Sequence, residues 1–102
     1  MALLGSITKQ PGEVLDFDIS YVTVLAGRSD TIVNKTVTVT GADMAGSPVT
    51  CPSSTISGGN SIKVVVANGV AGKIYKVTVV ATSDSTPALV YEDEVNVIVE
   101  EV

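Results

Sequence analysis

The chain has 102 residues, the size of one β-sandwich domain, with 45% hydrophobic residues to fill a core but only 4% aromatic ones and no Trp. Its net charge of -5 argues against the clustered Lys and Arg that nucleic-acid backbones and anionic membrane surfaces require. There is no His, the commonest general base and metal ligand, and the single Cys51 rules out an intrachain disulfide and weakly favours a reducing compartment of synthesis.

Residues 1–10 read as an N-terminal arm or an edge strand ahead of one domain, residues 11–102. Leu3, Leu4 and Ile7 form a short apolar patch. On an arm they would dock onto a partner; on an edge strand they would pack against their own domain. Met1 to Gly5 is too short for a signal-peptide apolar region and lacks a basic start, and no apolar run approaches the roughly 18 to 20 residues of a membrane-spanning helix. Pro11-Gly12 marks a turn. Residues 14–20 read as a strand, with Leu15, Phe17 and Ile19 on one face and Asp16 and Asp18 on the other. At Tyr21 the phase slips by one residue, which marks a bulge or the end of the strand. A polar turn over 26–30 leads to a strand over 31–40, in which Ile32 is out of phase with Val33, Val37 and Val39 and predicts a kink near Asn34-Lys35.

Residues 41–48, bounded by Gly and Pro, read as a loop. Residues 49–52 read as a short strand ended by Pro52, which belongs at a sheet edge. Residues 53–60 are polar and close with the hairpin-type turn Gly58-Gly59-Asn60. A strand over 61–67 alternates Ile62, Val64 and Val66 with Lys63 and Val65. The corner at Gly69 to Gly72 then feeds a strand over 73–82 with Tyr75, Val77, Val79 and Ala81 on one face. After a turn at 83–87, the last strand carries Leu89, Tyr91, Asp93, Val95, Val97 and Val99 on one face and Val90, Glu92, Glu94, Asn96, Ile98 and Glu100 on the other. The pattern predicts an all-β, immunoglobulin-like β-sandwich of about seven antiparallel strands, without internal repeats.

The residues supply no catalytic constellation and imply no cofactor or metal. Cys51 beside Pro52 has no neighbouring cation to lower its thiol pKa and reads as structural. Glu13, Asp16 and Asp18, and Glu92, Asp93 and Glu94 with Glu100 and Glu101, form two acidic groups. Neither has the D-x-D-x-D-G pattern of a wrapped Ca²⁺ site, and the plainer reading is a solvated sheet face that discourages edge pairing. A carboxylate pair for glycoside hydrolysis would need a pocket that so short a chain has little room to build. Tyr75 sits where sandwich domains bury a Tyr whose hydroxyl bonds back to nearby backbone. Tyr21 and Tyr91, if exposed, would be interface anchors.

Several blocks resemble the small Ig-like phage virion proteins of the fibre–tail adaptor type: Pro11-x-Glu13-Val14-Leu15-Asp16-Phe17-x-Ile19, Leu25-Ala26-Gly27, Asp30-Thr31-Ile32, and Gly69-x-Ala71-Gly72-x-Ile74-Tyr75-x-Val77-Thr78. The chain departs from that pattern at Ser20-Tyr21, where members often have a Trp, and at Ser85-Thr86-Pro87, where they often have a Gly-Arg turn. The resemblance implies a non-enzymatic structural protein made in the host bacterial cytoplasm and carried in the virion. It would join tail or capsid to fibres through contacts with other phage virion proteins, in multiple copies in a symmetric assembly, with Leu3, Leu4, Ile7, Tyr21 and Tyr91 as contact residues. The alternatives are a capsid decoration protein or a carbohydrate- or surface-adhesion module, the latter disfavoured by the absence of Trp to stack on sugar. A small enzyme ranks last.

Overall fold

A computed structural model describes residues 2–26, 30–41 and 46–101, with side chains described from Gly5 onward. Seven strands run in chain order: β1 (Ala2–Lys9), β2 (Leu15–Ser20), β3 (Ile32–Gly41), β4 (Thr50–Ser57), β5 (Ser61–Ala67), β6 (Lys73–Ser83) and β7 (Val90–Val99). They form a four-stranded sheet of order β1-β7-β6-β3 and a three-stranded sheet of order β2-β5-β4. No helix occurs among the described residues. The fold is an all-β sandwich drawn out to 44 × 20 × 20 Å.

The alternation seen in the sequence lays down the core. Tyr75, Val77, Val79 and Ala81 of β6 and Val97 and Val99 of β7 face Ile62, Val64 and Val66 of β5 and Ile19 of β2, all of them buried. Each fully buried aliphatic side chain of this kind contributes about 1.5–3 kcal/mol. With so few aromatics, β-branched side chains on pleated strands carry most of that burial.

Three local expectations are corrected. Not all strands are antiparallel: β1 runs parallel to β7, Ile7 opposite Val97 and Lys9 opposite Val99. This places residues 2–9 on a sheet edge and hands the chain across to the other sheet at Pro11-Gly12. Second, Pro52 does not end a strand. β4 runs through it to Ser57, and its pairing with β5 shifts register between Thr50 and Ser53, so the missing N–H falls at an irregularity of an edge strand. Third, the break in β3 lies at Val33, between Ile32 and Asn34, slightly earlier than the Asn34-Lys35 kink that the sequence suggests. Of the two alternatives at Tyr21, a bulge or the end of the strand, the second holds: β2 ends at Ser20 and residues 22–26 turn, with Leu25 N–H donating to Tyr21 O at 2.9 Å. Parts of the expected turn at 26–30 and loop at 41–48, namely residues 27–29 and 42–45, lie outside the described residues.

The end of the sandwich near Pro11 is closed by Lys9. Its side chain lies on the inner face of β1 and the residue is buried. Its Nζ donates to the carbonyls of Gln10 at 2.7 Å, Pro11 at 3.3 Å and Asn68 at 2.6 Å. Three donors thus meet three acceptors from two different turns. Burial pushes its pKa down, against the upward pull of Glu13, whose carboxylate accepts from Gln10 N–H at 2.7 Å.

Candidate interaction surface

The side chains singled out from sequence fall into different environments. Leu3 and Leu4 lie on β1, next to the register shift between Leu3 and Gly5, and their side chains are outside the described set. Ile7 is half-buried and packs against the core. Tyr21 does not meet the condition of exposure that would make it an interface anchor. It is 2% exposed, because the turn after β2 folds it inward as the next inner residue beyond Phe17 and Ile19. Tyr91, half-buried, packs against it with ring centroids 5.7 Å apart at 38°. The pair belongs to the core and its margin.

The Tyr21 hydroxyl is buried without a hydrogen bond of regular geometry, although it lies beside the Asp93 carboxylate. Burial first, and Asp93 second, push its pKa from 10.0 up to about 12. A phenol raised in the folded state stabilises the fold below its ordinary pKa, and that contribution is lost as pH rises through about 10 to 12. Tyr21→Phe is therefore expected to cost less than about 1 kcal/mol at pH 7, because no formed hydrogen bond is removed. It should also flatten the loss of stability between pH 10 and 12, where the native residue gives up on the order of 2 kcal/mol. Urea unfolding of both proteins at pH 7, 10 and 12 measures this.

Between the edge strands β1 and β2 a groove of about 200 Å³ opens, lined by Gly5 and Ile7 of β1, Phe17, Asp18 and Ile19 of β2, and Val95 of β7. A Cβ built on Gly5 would meet nothing within 4 Å, so the missing side chain keeps this stretch open. Sequence reading missed the groove because its walls come from the edge strands of two different sheets, β1 and β2, and from β7 at the far end of the chain. The one signal was Gly5, which interrupts an otherwise apolar patch.

The two acidic groups differ in setting. Asp16 pairs with Lys63 at 3.3 Å across the outer face of the three-stranded sheet, and both side chains are about half exposed. Glu94 meets Lys76 at 3.6 Å on the outer face of the other sheet. Asp18, exposed on the outer face of β2 at the rim of the groove, lies opposite Lys63 in the register, but Lys63 turns to Asp16 and Asp18 makes no hydrogen bond or ion pair among the described residues. No group of three or more His, Cys, Asp or Glu that could hold a metal occurs among the described residues. Cys51 is half-buried, and burial pushes its thiol from 9.0 up to about 11, which leaves little thiolate at neutral pH.

Exposed apolar residues gather at both ends. Val22, Val24, Val33 and Val90 lie toward the end that carries the β4–β5 turn, and Val14 and Ile74 toward the end closed by Lys9. Tyr75 fulfils its structural reading. It is 1% exposed, and its hydroxyl accepts from Val70 N–H at 3.1 Å.

A family model described as "Podophage GP4 fiber-tail adaptor protein gp77" matches residues 9–97. No curated protein matches the chain. Among solved structures it is similar to "Solution Structure of Amebosin", at 19% identity over 94% of this chain and 96% of that one; the TM-score of 0.34 is too low to carry an argument.

Proposed function

We propose that this chain, which belongs to the podophage GP4 fiber-tail adaptor family, gp77, is a non-enzymatic structural adaptor that joins tail to fibres through protein–protein contacts. The observation that carries the reading is the match of that family across residues 9–97, nearly the whole sandwich. The strand order supports an immunoglobulin-like identity. Counting β2 to β7 as strands B to G gives B-E-D in one sheet and G-F-C in the other, the immunoglobulin arrangement, with the first strand moved beside the last. A groove of about 200 Å³ also falls short of the roughly 300–1,000 Å³ of small-molecule sites, which favours contact with protein over binding of a free sugar.

In this reading Ile7 contributes to the contact through the groove, and Leu3 and Leu4 through the neighbouring stretch of β1. Tyr91 stands at the margin, while Tyr21 acts only by holding Tyr91 in place. The protein is carried in the virion in several copies, so that weak single contacts are multiplied by avidity. Immunogold labelling of intact and partly disrupted particles with antibody raised to the purified domain tests this. Gold is expected at the tail–fibre joint. Gold on the capsid would replace the adaptor reading with a decoration role, and unlabelled particles, with the antibody proven on free protein, would remove the virion role altogether.

A further inference from the structure

The four edge strands of the sandwich are not equally protected. β1 has a register shift between Leu3 and Gly5, β3 has one at Val33, and β4 has one at Thr50–Ser53 together with Pro52. Such irregularities are how sheets stop a further strand from adding to an edge. β2 has none: it pairs with β5 in unbroken register from Leu15 opposite Val66 to Ser20 opposite Ser61, and no strand lies on its other side. Its backbone is therefore the most regular of the four edges, guarded by Asp16 and Asp18 rather than by a bulge, and it forms one wall of the groove.

We infer that β2 is a docking edge for an extended segment of the adaptor's partner, a strand in which aliphatic residues alternate with Lys or Arg. The inference rests on the adaptor reading and names the chemistry of its partner. Backbone pairing with β2 would send alternate side chains of the added strand toward the groove, where Ile7, Phe17, Ile19 and Val95 offer an apolar floor beside the gap at Gly5. That space accepts side chains and is too small for a larger ligand. The opposite set of side chains would lie toward Asp16 and Asp18 on the outer face of β2. Lys63 lies opposite Asp18 but pairs with Asp16, so Asp18 forms no ion pair among the described residues. A cation on the incoming strand completes it. A second copy of this chain is a poor occupant, because pairing β2 with β2 would bring the same aspartates together.

Two synthetic nine-residue strands test the inference, one alternating Lys with Val and one alternating Glu with Val, each added to the purified protein while amide hydrogen exchange is followed. The Lys strand is expected to slow exchange at least tenfold at the β2 amides that do not bond β5, and the Glu strand to leave them unchanged. Asp18→Lys should weaken the effect at least tenfold, while Thr55→Lys on edge strand β4 should not; both positions are exposed, so neither change threatens folding. Equal protection by both strands, no protection by either, or indifference to Asp18→Lys overturns the inference. So does self-association of Asp18→Asn in sedimentation, which would make the aspartate a guard against pairing. These readouts use the isolated protein, so they separate failure of the docking edge from failure of the adaptor reading, which the gold labelling decides.

Discussion

Gly69→Ala is expected to destabilise the protein by about 3–5 kcal/mol, from two separate costs of similar size. Gly69 has φ +112°, a conformation that L side chains rarely adopt. Holding another residue there costs of order 1–3 kcal/mol. The position is also full. An added Cβ would sit 2.7 Å from Val99 Cγ2 and 2.9 Å from Val49 Cγ2, and both valines are buried where the two sheets close together. Overpacking of this kind adds a further 1–3 kcal/mol or so. Against a total stability of roughly 5–15 kcal/mol, the sum is a large fraction. Chemical denaturation of Gly69→Ala measures it, with Gly12→Ala as reference. An added Cβ at Gly12 meets nothing and its φ is ordinary, so that change should stay within about 0.5 kcal/mol. The double change Gly69→Ala with Val49→Ala relieves the 2.9 Å contact and leaves both the 2.7 Å contact with Val99 and the backbone strain. A cost below about 1 kcal/mol for Gly69→Ala alone would show that the corner can relax, contrary to the geometry.

How much of this was legible in the sequence follows from where each signal resides. The inner faces of β5, β6 and β7 could be read directly, because a strand with one face in a core must alternate, and Val64, Val77 and Val97 obey that rule. Tyr75 was legible for a second reason: a large side chain amid that alternation must be buried, and its hydroxyl then needs a partner within reach, which Val70 supplies. Lys9 shows the limit. Its parity with Ile7 puts it on the inner face, yet a lone Lys near a turn reads as solvated. The carbonyl of Asn68 that helps hold it comes from 59 residues away in the chain. Pro52 misled for a similar reason. Locally it ends a strand, but on the edge strand β4 its missing N–H has a place at an irregularity. Tyr21 could have been exposed or buried on local pattern alone; the turn that follows β2 decides it. The groove is invisible to any local reading, since nothing in sequence links Gly5, Phe17 and Val95. The family resemblance carried the function further than the residues did, and the match over residues 9–97 bears out the fibre–tail adaptor type.

Replacing Tyr75 should separate the two ways in which the corner before β6 is held. Its ring is buried opposite Gly41 on β3, where the absent side chain makes room: a Cβ on Gly41 would come within 2.9 Å of Tyr75 Cδ1. The hydroxyl reaches past the core to accept the Val70 N–H at 3.1 Å, and that residue opens the turn whose Gly72 N–H donates to Val99 O at 2.8 Å. Tyr75→Phe keeps the ring and leaves the Val70 N–H without its acceptor, at an expected cost of about 1–2 kcal/mol. Tyr75→Ala also empties the ring's volume in a close-packed core and should cost about 3–5 kcal/mol. Urea midpoints at an unchanged denaturant slope read both values on the same scale. The hydroxyl bond also makes a local prediction, namely faster amide exchange at Val70 in Tyr75→Phe, while the central β6 amides keep their protection relative to global stability. If Tyr75→Phe is neutral and the Val70 amide stays as slow as before, the ring alone holds the corner. If Phe costs as much as Ala, the hydroxyl bond dominates and packing over Gly41 contributes little.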